Sequence, residues 1–204
     1  MLFDPYFLSE FLGIIYGDGN LWTNYRKYEI SFTCSIYDED YFSYVMKNVF
    51  ICFNKKPYCR TRHSALRLSI YDKRLFHYLV SLGVAWGSKK ASCKIPQFLF
   101  TDDRFFILFV RGVFDTDGSV FTSDKKGAVS YPSLEITNQN FSLIVDIYLF
   151  LIKYGFRVCF RKSNSQTYKI AIHGTLMIYK WYFLFGSSHP RKFAKMQSII
   201  KSFC

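Results

Sequence analysis

Polar and apolar residues alternate along Tyr28–Ile36, with Tyr28, Ile30, Phe32, Cys34 and Ile36 on one side and Glu29, Ser31, Thr33 and Ser35 on the other. A two-residue period of this kind is a strand with one buried and one wetted face. A short strand precedes it at Asn20–Asn24, joined by a turn at Tyr25–Lys27, and before that Pro5 sets the first turn of a helix reaching Tyr16. Asp38 is placed to cap a helix to Phe53. A second hairpin follows at Pro57–Arg62 and Ala65–Tyr71, then a helix from Asp72 to Leu82 that Gly83 ends. Periodicity is lost from Gly83 to Pro96, which reads as a linker. The order then recurs: helix Asp103–Phe114, strands Ser119–Ser123 and Tyr131–Thr137, and an apolar helix Phe141–Tyr154 stopped by Gly155. Strands Phe156–Lys162 and Tyr168–His173, a helical region Thr175–Phe185, a Ser-Ser-His-Pro break and a helix to Ile200 complete the chain.

The pattern predicts an α+β fold of two tandem αββαββα repeats, residues 1–94 and 95–204. Neither half is large enough to bury its apolar helix face alone, so the halves should pack as a pseudo-dimer. The contact is predicted from two matched stretches, Phe11–Gly19 (FLGIIYGDG) and Val110–Gly118 (VRGVFDTDG). Each carries small residues four apart, Gly13/Gly17 and Gly112/Thr116, on one helix face where a partner backbone can come close. Each ends in Asp-Gly. If the two faces pack together, Asp18 and Asp117 meet at helix C-termini, where a carboxylate opposes the macrodipole by about 0.3–1 kcal/mol and like charges repel. A divalent cation reverses both penalties. Hard oxygen donors beside a phosphate suit Mg2+.

The net charge is +12, from 27 Lys and Arg against 15 Asp and Glu, which suits a polyanionic partner. At 50% hydrophobic residues the chain can fill a core, which excludes disorder. No apolar run is long enough for a membrane helix, and Asp4 and Glu10 stand where a secretory signal would be basic or apolar, so an intracellular setting is expected. The six cysteines (34, 52, 59, 93, 159, 204) lack zinc-ligand spacing, and Cys34, Cys52, Cys59 and Cys159 are expected in or near the core. Arg60, Arg62, Arg67, Arg157, Arg161 and Lys169 fall on polar strand faces, joined by Ser31, Thr33, Ser133, Glu135 and Thr137. A two-stranded ribbon fits the major groove and these residue types contact bases and phosphates, so this face is the expected double-stranded DNA surface.

The paired motifs resemble the single-chain, two-motif LAGLIDADG homing endonucleases. Tyr16 replaces the sixth-position Asp in the first, and the second opens Val-Arg rather than Leu-Ala. The resemblance implies that Asp18 and Asp117 are catalytic metal-binding acids, with the carbonyls of Gly17 and Thr116 as added ligands. It further implies Mg2+ as cofactor, with Mn2+ or Ca2+ able to substitute for binding, and hydrolysis of one phosphodiester per strand leaving 3′ overhangs. The expected target is a long pseudo-palindromic duplex bound by a monomer. By position, Lys89 and Lys192 are the lysines expected near the scissile phosphates. The family's polar residue ending the second strand falls on Cys34 and Asn138; Cys34 orders water poorly, so one strand should be cut more slowly.

Other residues read as structural: His63, His77 and His173 as surface or scaffold, Asp115 as a cap, and Trp22, Trp86 and Trp181 as packing. Two rivals share the scaffold, an intron RNA maturase that binds intron RNA and a DNA-binding regulator that does not cut. Both relax the demand for acids that this sequence keeps twice. The lack of an initial Cys or Ser and of a final His-Asn favours an intron-encoded protein over an intein.

Overall fold

The computed structural model describes residues 3–87, 94–125, 128–162 and 166–202. Asp4 accepts hydrogen bonds from the N–H groups of Tyr6 and Phe7 and so starts α1 (Pro5–Tyr16), every residue of which from Phe7 onward is buried. A helix apolar on all sides must be central. It is followed by β1 (Gly19–Thr23), β2 (Tyr28–Ser35), α2 (Glu39–Phe53), β3 (Tyr58–Arg62), β4 (Ala65–Tyr71) and α3 (Lys73–Ser81). The second half has α4 (Asp103–Asp117), β5 (Gly118–Lys125), β6 (Ala128–Asn138), α5 (Phe141–Lys153), β7 (Val158–Lys162), β8 (Tyr168–His173) and α6 (Thr175–Leu184). A further helix, α7 (Pro190–Lys201), ends the described chain.

The two sheets have the same antiparallel order, β1-β2-β4-β3 and β5-β6-β8-β7. Their registers superpose as well. Gly19 pairs with Phe32, which pairs with Leu68, as Gly118 pairs with Ile136 and Ile136 with Ile170. By that register Thr33 matches Thr137, Cys34 matches Asn138, Arg67 matches Lys169, and Arg60 matches Arg161. The fold is thus α+β, two repeats of one αββαββα unit, with α7 as an addition to the second.

Between the sheets α1 and α4 lie against each other. A Cβ on Gly13 would stand 2.1 Å from the Phe109 carbonyl oxygen, and one on Gly112 would stand 2.2 Å from that of Glu10. Only glycine lets the two backbones come this close. Phe11, Leu12, Ile14 and Ile15 on one helix and Phe106, Phe109, Val110 and Val113 on the other are essentially solvent-free. Burying each such side chain contributes about 1.5–3 kcal/mol.

Several local expectations are corrected. Helix α4 runs to Asp117 rather than stopping at Phe114, so the second acid is itself the last helical residue. Strand β2 ends at Ser35, Ile36–Asp38 form a 3-10 turn, and Asp38 makes no side-chain cap. Its carboxylate serves α7 instead, as described below. Strand β7 starts at Val158, leaving Arg157 just before it. Cys59 and Cys159 are exposed: Cys59 lies on edge strand β3, every residue of which is exposed, and Cys159 lies in the polar hollow with Arg161 and Lys169. Trp181 is fully buried, but Trp22 and Trp86 are 42% and 47% exposed, the latter edge-on to Tyr25. Helix α5 is buried on one face only, with Leu149 and Ile152 exposed on the other. His173 is bonded to Ser133 at 2.8 Å, and His77 packs against Tyr28 and Phe76.

Candidate active site

The site forms where α1 and α4 end. Gly17 closes α1, its N–H donating to the Gly13 carbonyl at 3.1 Å, and Asp18 follows before β1 begins. Asp117 is the last residue of α4, and Gly118 opens β5. A Cβ on Gly17 would collide with the Thr116 hydroxyl and come 3.4 Å from the Asp117 carboxyl carbon. The two motif ends therefore lie side by side, as the spacing of small residues predicted.

Two cavities flank this seam, and each combines parts of both motifs. One, of about 320 Å³, is lined by Asp117 and Gly17 together with Tyr16, Asn138, Val84 and Ala85. The other, of about 230 Å³, is lined by Asp18 and Thr116 together with Cys34, Asp38, Tyr41, Asp115, Arg191 and Lys192. Each acid thus shares its cavity with the residue that precedes the other acid. Carboxylates and peptide carbonyls are hard donors of the kind that hold Mg2+. Among the described residues no three His, Cys, Asp or Glu gather to hold a metal, here or elsewhere, so the oxygen donors of this seam are two carboxylates and the neighbouring backbone carbonyls.

The strand-end residues occupy matched places. Asn138 donates to Asp117 Oδ2 at 2.5 Å and to the Tyr16 carbonyl at 3.4 Å, which fixes the orientation of that carboxylate. Cys34 faces the Asp18 cavity, and burial, followed by the charges of Asp38 and Asp18, pushes its thiol up to about 12. It remains a neutral, weakly donating group.

Lys192 enters from α7. Its ammonium donates to the carbonyls of Phe114 (2.8 Å), Asp115 (2.8 Å) and Thr116 (3.3 Å). A cation here satisfies the last carbonyls of α4 and complements its dipole. Burial pulls its pKa down to about 8 against the opposing charges of Asp115, Asp18, Asp117 and Asp38. Lys89 lies outside the described residues.

The sixth motif position does one job in two chemistries. Asp115 accepts from the Ser187 hydroxyl at 2.5 Å and the Ser188 N–H at 2.8 Å, tying down the segment before α7. Burial pushes its carboxyl up to about 7, in spite of those two bonds. In the first motif the Tyr16 hydroxyl donates to the Lys94 carbonyl at 2.5 Å, tying down the segment that follows α3. The capping role expected for Asp115 is corrected: among the described residues it caps no helix and instead, buried, holds the Ser187–Ser188 segment ahead of α7.

Sequence reasoning missed the polar network beside this cavity. Arg111, the motif's odd second residue, pairs with Glu10 of α1 at 2.6 Å across the seam, both being largely buried. The Tyr44 hydroxyl donates to the same carboxylate and accepts from Ser188. Asp38 Oδ1 lies 2.8 Å from Arg191 and 3.1 Å from His189 Nε2, and the His189 ring stacks on Tyr41 at 4.7 Å. The one sequence signal was Glu10 inside an apolar helix, a buried acid in need of a partner.

Of the expected DNA-facing residues, Arg60, Arg62, Arg157 and Arg161 are exposed, and Thr33 and Thr137 are half-buried. Arg67 donates to Glu29 (3.0 Å) and Ser31 (3.1 Å), and Lys169 pairs with Glu135 at 2.7 Å. Ser31 and Ser133 are buried, so they orient Arg67 and His173 rather than reach outward. Ser133, Glu135, Arg161, Lys169 and His173 line a hollow of about 480 Å³ on the second sheet.

Residues 105–182, which include the second motif, match the LAGLIDADG-like domain family. The whole chain has the fold of the homing endonuclease I-DmoI. A structure of I-DmoI in complex with DNA and Mn is 19% identical, with TM-score 0.66 over 91% of this chain and 98% of that one. Another I-DmoI structure, in complex with DNA and Ca, is 17% identical, with TM-score 0.66 over 95% and 98%. Full-length DUF199/WhiA from Thermatoga maritima is 16% identical, with TM-score 0.61 over 98% of this chain and 61% of that one. No curated protein matches by sequence.

Proposed function

We infer, from a chain that pairs a LAGLIDADG-like domain with the two-motif fold of I-DmoI, that it is a site-specific double-strand DNA endonuclease. The observation that carries this reading is the placement of Asp18 and Asp117 in two cavities, each beside the backbone of the other motif. Nothing in a scaffold calls for two carboxylates at adjoining helix C-termini, where both are electrostatically penalised. The repeats are residues 1–94 and 95–204, acting as a monomer on a long pseudo-palindromic duplex.

Asp18 and Asp117, with the carbonyls of Thr116 and Gly17, are the groups that would hold divalent cations, Mg2+ for turnover. The donor set is all oxygen, two carboxylates and two carbonyls, and the Thr116 carbonyl, which accepts from Lys192 at 3.3 Å, keeps a second lone pair for a cation. A bound cation supplies the Lewis acid that activates water and offsets charge on the phosphate. The protein's own residues do the rest. Asn138 fixes the Asp117 carboxylate, and Lys192 compensates the dipole of α4 beside Thr116. Arg60, Arg62, Arg67, Arg157, Arg161 and Lys169, with Thr33, Glu135 and Thr137, bind the duplex, while the buried Ser31 and Ser133 hold Arg67 and His173 in place. One phosphodiester is hydrolysed per strand, leaving 3′ overhangs.

The test is incubation with DNA carrying the host's intronless junction, with Mg2+ or with chelator. Cleavage is expected with Mg2+ alone, and binding is expected to weaken steeply with salt. Tight binding of intron RNA with no cleavage of junction DNA would replace this reading with an RNA maturase. Specific DNA binding without cutting in any divalent metal would replace it with a regulator.

A further inference from the structure

The Asp18 cavity holds two cations, and their surroundings assign them different work. Lys192 is turned inward: its three protons face three carbonyls of α4, and most of the side chain is buried. An ammonium has no further donor once these bonds are made. Its neighbour Arg191 lines the same cavity but is 64% exposed, with one terminal nitrogen 2.8 Å from Asp38. The contact is an ion pair and not a hydrogen bond, since Asp38 Oδ1 has no hydrogen-bond partner among the described residues, so the guanidinium is held by charge while the rigid fork of five N–H donors can approach a phosphate. Asp38 is itself braced, with His189 Nε2 3.1 Å away and the His189 ring stacked on Tyr41. The helix bearing Arg191 also begins here, at Pro190, with no side-chain cap on its first turn, and its N-cap residue His189 lines the same cavity.

We propose that Arg191, held by Asp38, is the cation that contacts the scissile phosphate at the Asp18 cavity, and that Lys192 instead completes the end of α4. Arg191 is then a catalytic residue and Asp38 a positioning residue. This rests on the endonuclease reading. It departs from the sequence expectation, in which the lysine of the Arg-Lys pair had that role. It also accounts for Asp38, whose carboxylate leaves the N-terminus of its own helix uncapped to serve a residue of the other half.

The experiment follows each strand separately in a cleavable junction duplex, labelled on one 5′ end at a time. The strand served by the Asp18 cavity is the one whose cutting Asp18→Asn stops. Arg191→Ala should slow that strand about a hundredfold, the loss typical of one transition-state donor, and leave the other within about twofold. Millimolar guanidinium should restore part of the rate, and Arg191→Lys should retain more than Arg191→Ala. Asp38→Asn should slow the same strand about tenfold, as misplacement does. Lys192→Met should lower the melting temperature and slow both strands.

Equal slowing of both strands by Arg191→Ala, or no slowing, would overturn the proposal. So would a Lys192→Met protein of unchanged melting temperature that loses only the Asp18 strand. A wild-type protein that cuts no junction DNA removes the endonuclease reading itself, and this assignment with it.

Discussion

The two cavities descend from one pattern and differ in what surrounds the acid. Among the described residues, the walls around Asp117 carry no other charge: Asn138, Gln139, Asn140 and Thr167 are neutral polar groups beside Ile15, Val84 and Ala85, and Asn138 bonds the carboxylate directly. Around Asp18 they are charged: Asp38, Asp115, Arg191 and Lys192 stand beside Cys34, Tyr41, His189 and Phe32. The cause is α7, which follows the second half and crosses to Asp38 and Tyr41 of the first. A repeat can thus keep its acids and backbone in register while the groups that support them diverge. Strand cutting should diverge with them.

The largest test of the comparison is removal of the acids one at a time. Asp117→Asn and Asp18→Asn should each lower double-strand cutting on the order of a thousandfold, since several kcal/mol of transition-state charge stabilisation go with each acid. Binding to the duplex should survive. If the cavities work separately, each variant leaves a nicked product, and the two nicks lie on opposite strands. Loss of both cuts in both variants would show one shared centre and end the comparison.

The polar network beside this cavity can be broken at Arg111 without touching either acid. Its guanidinium is the buried partner of Glu10, which is 3% exposed. Removing one member of a buried pair typically costs about 3–5 kcal/mol, because a charge is left behind. Arg111→Ala should therefore lower denaturant stability by that amount. Arg111→Met with Glu10→Leu, which removes both charges, should recover most of it. Equal losses in the single and double variants would show that the pair is not what closes this side.

A smaller effect separates the cavities by pH. Burial, helped by the charge of Lys192, lowers His189 from 6.5 to about 4, and the side chain is 5% exposed. The unfolded chain therefore takes up a proton below pH 6.5 that the folded chain refuses until about pH 4. Stability from this group is full above pH 6.5 and is lost as pH falls toward 4, by roughly 2 kcal/mol at about 1.4 kcal/mol per pH unit with allowance for the nearby Asp38. His189→Gln should flatten the stability profile between those values relative to wild type. An unchanged slope would mean that His189 is already protonated beside Asp38.

Local signals account for what the sequence made legible. The twofold period of β2, the small residues four apart at Gly13/Gly17 and Gly112/Thr116, and the repeated Asp-Gly endings were enough to set the repeat and the seam between its helices. What could not be read depends on contacts between distant segments. Asp38 looks like a helix cap because Asp before a helix usually is one; only α7, more than 150 residues on, gives it another partner. Arg111 looks like a flaw in a motif until Glu10 is seen beside it. Lys192 looks like a free lysine until the carbonyls of α4 are found around it. The exposure of Cys59 and Cys159 was missed because cysteine is usually buried, whereas Cys159 shares the polar side of β7 with Arg161 and Cys59 sits on an edge strand whose every residue is exposed.

The smallest effect bears most directly on the two cavities. Asn138 orients Asp117, while its register partner Cys34 offers Asp18 only a neutral thiol. One hydrogen bond of about 1 kcal/mol is worth roughly fivefold in rate. In wild-type protein the strand served by Asp117 should thus be nicked first, with the other following about fivefold more slowly. Cys34→Asn supplies the missing amide and should bring the two rates together. Asn138→Cys should slow the Asp117 strand by a similar factor. The pair of substitutions also guards against a trivial outcome, since exchanging the two residues should reverse the order of nicking at little cost in stability. If the order is unchanged after the exchange, the asymmetry between the strands arises elsewhere on the Asp18 side, and Arg191 with Asp38 becomes the place to look.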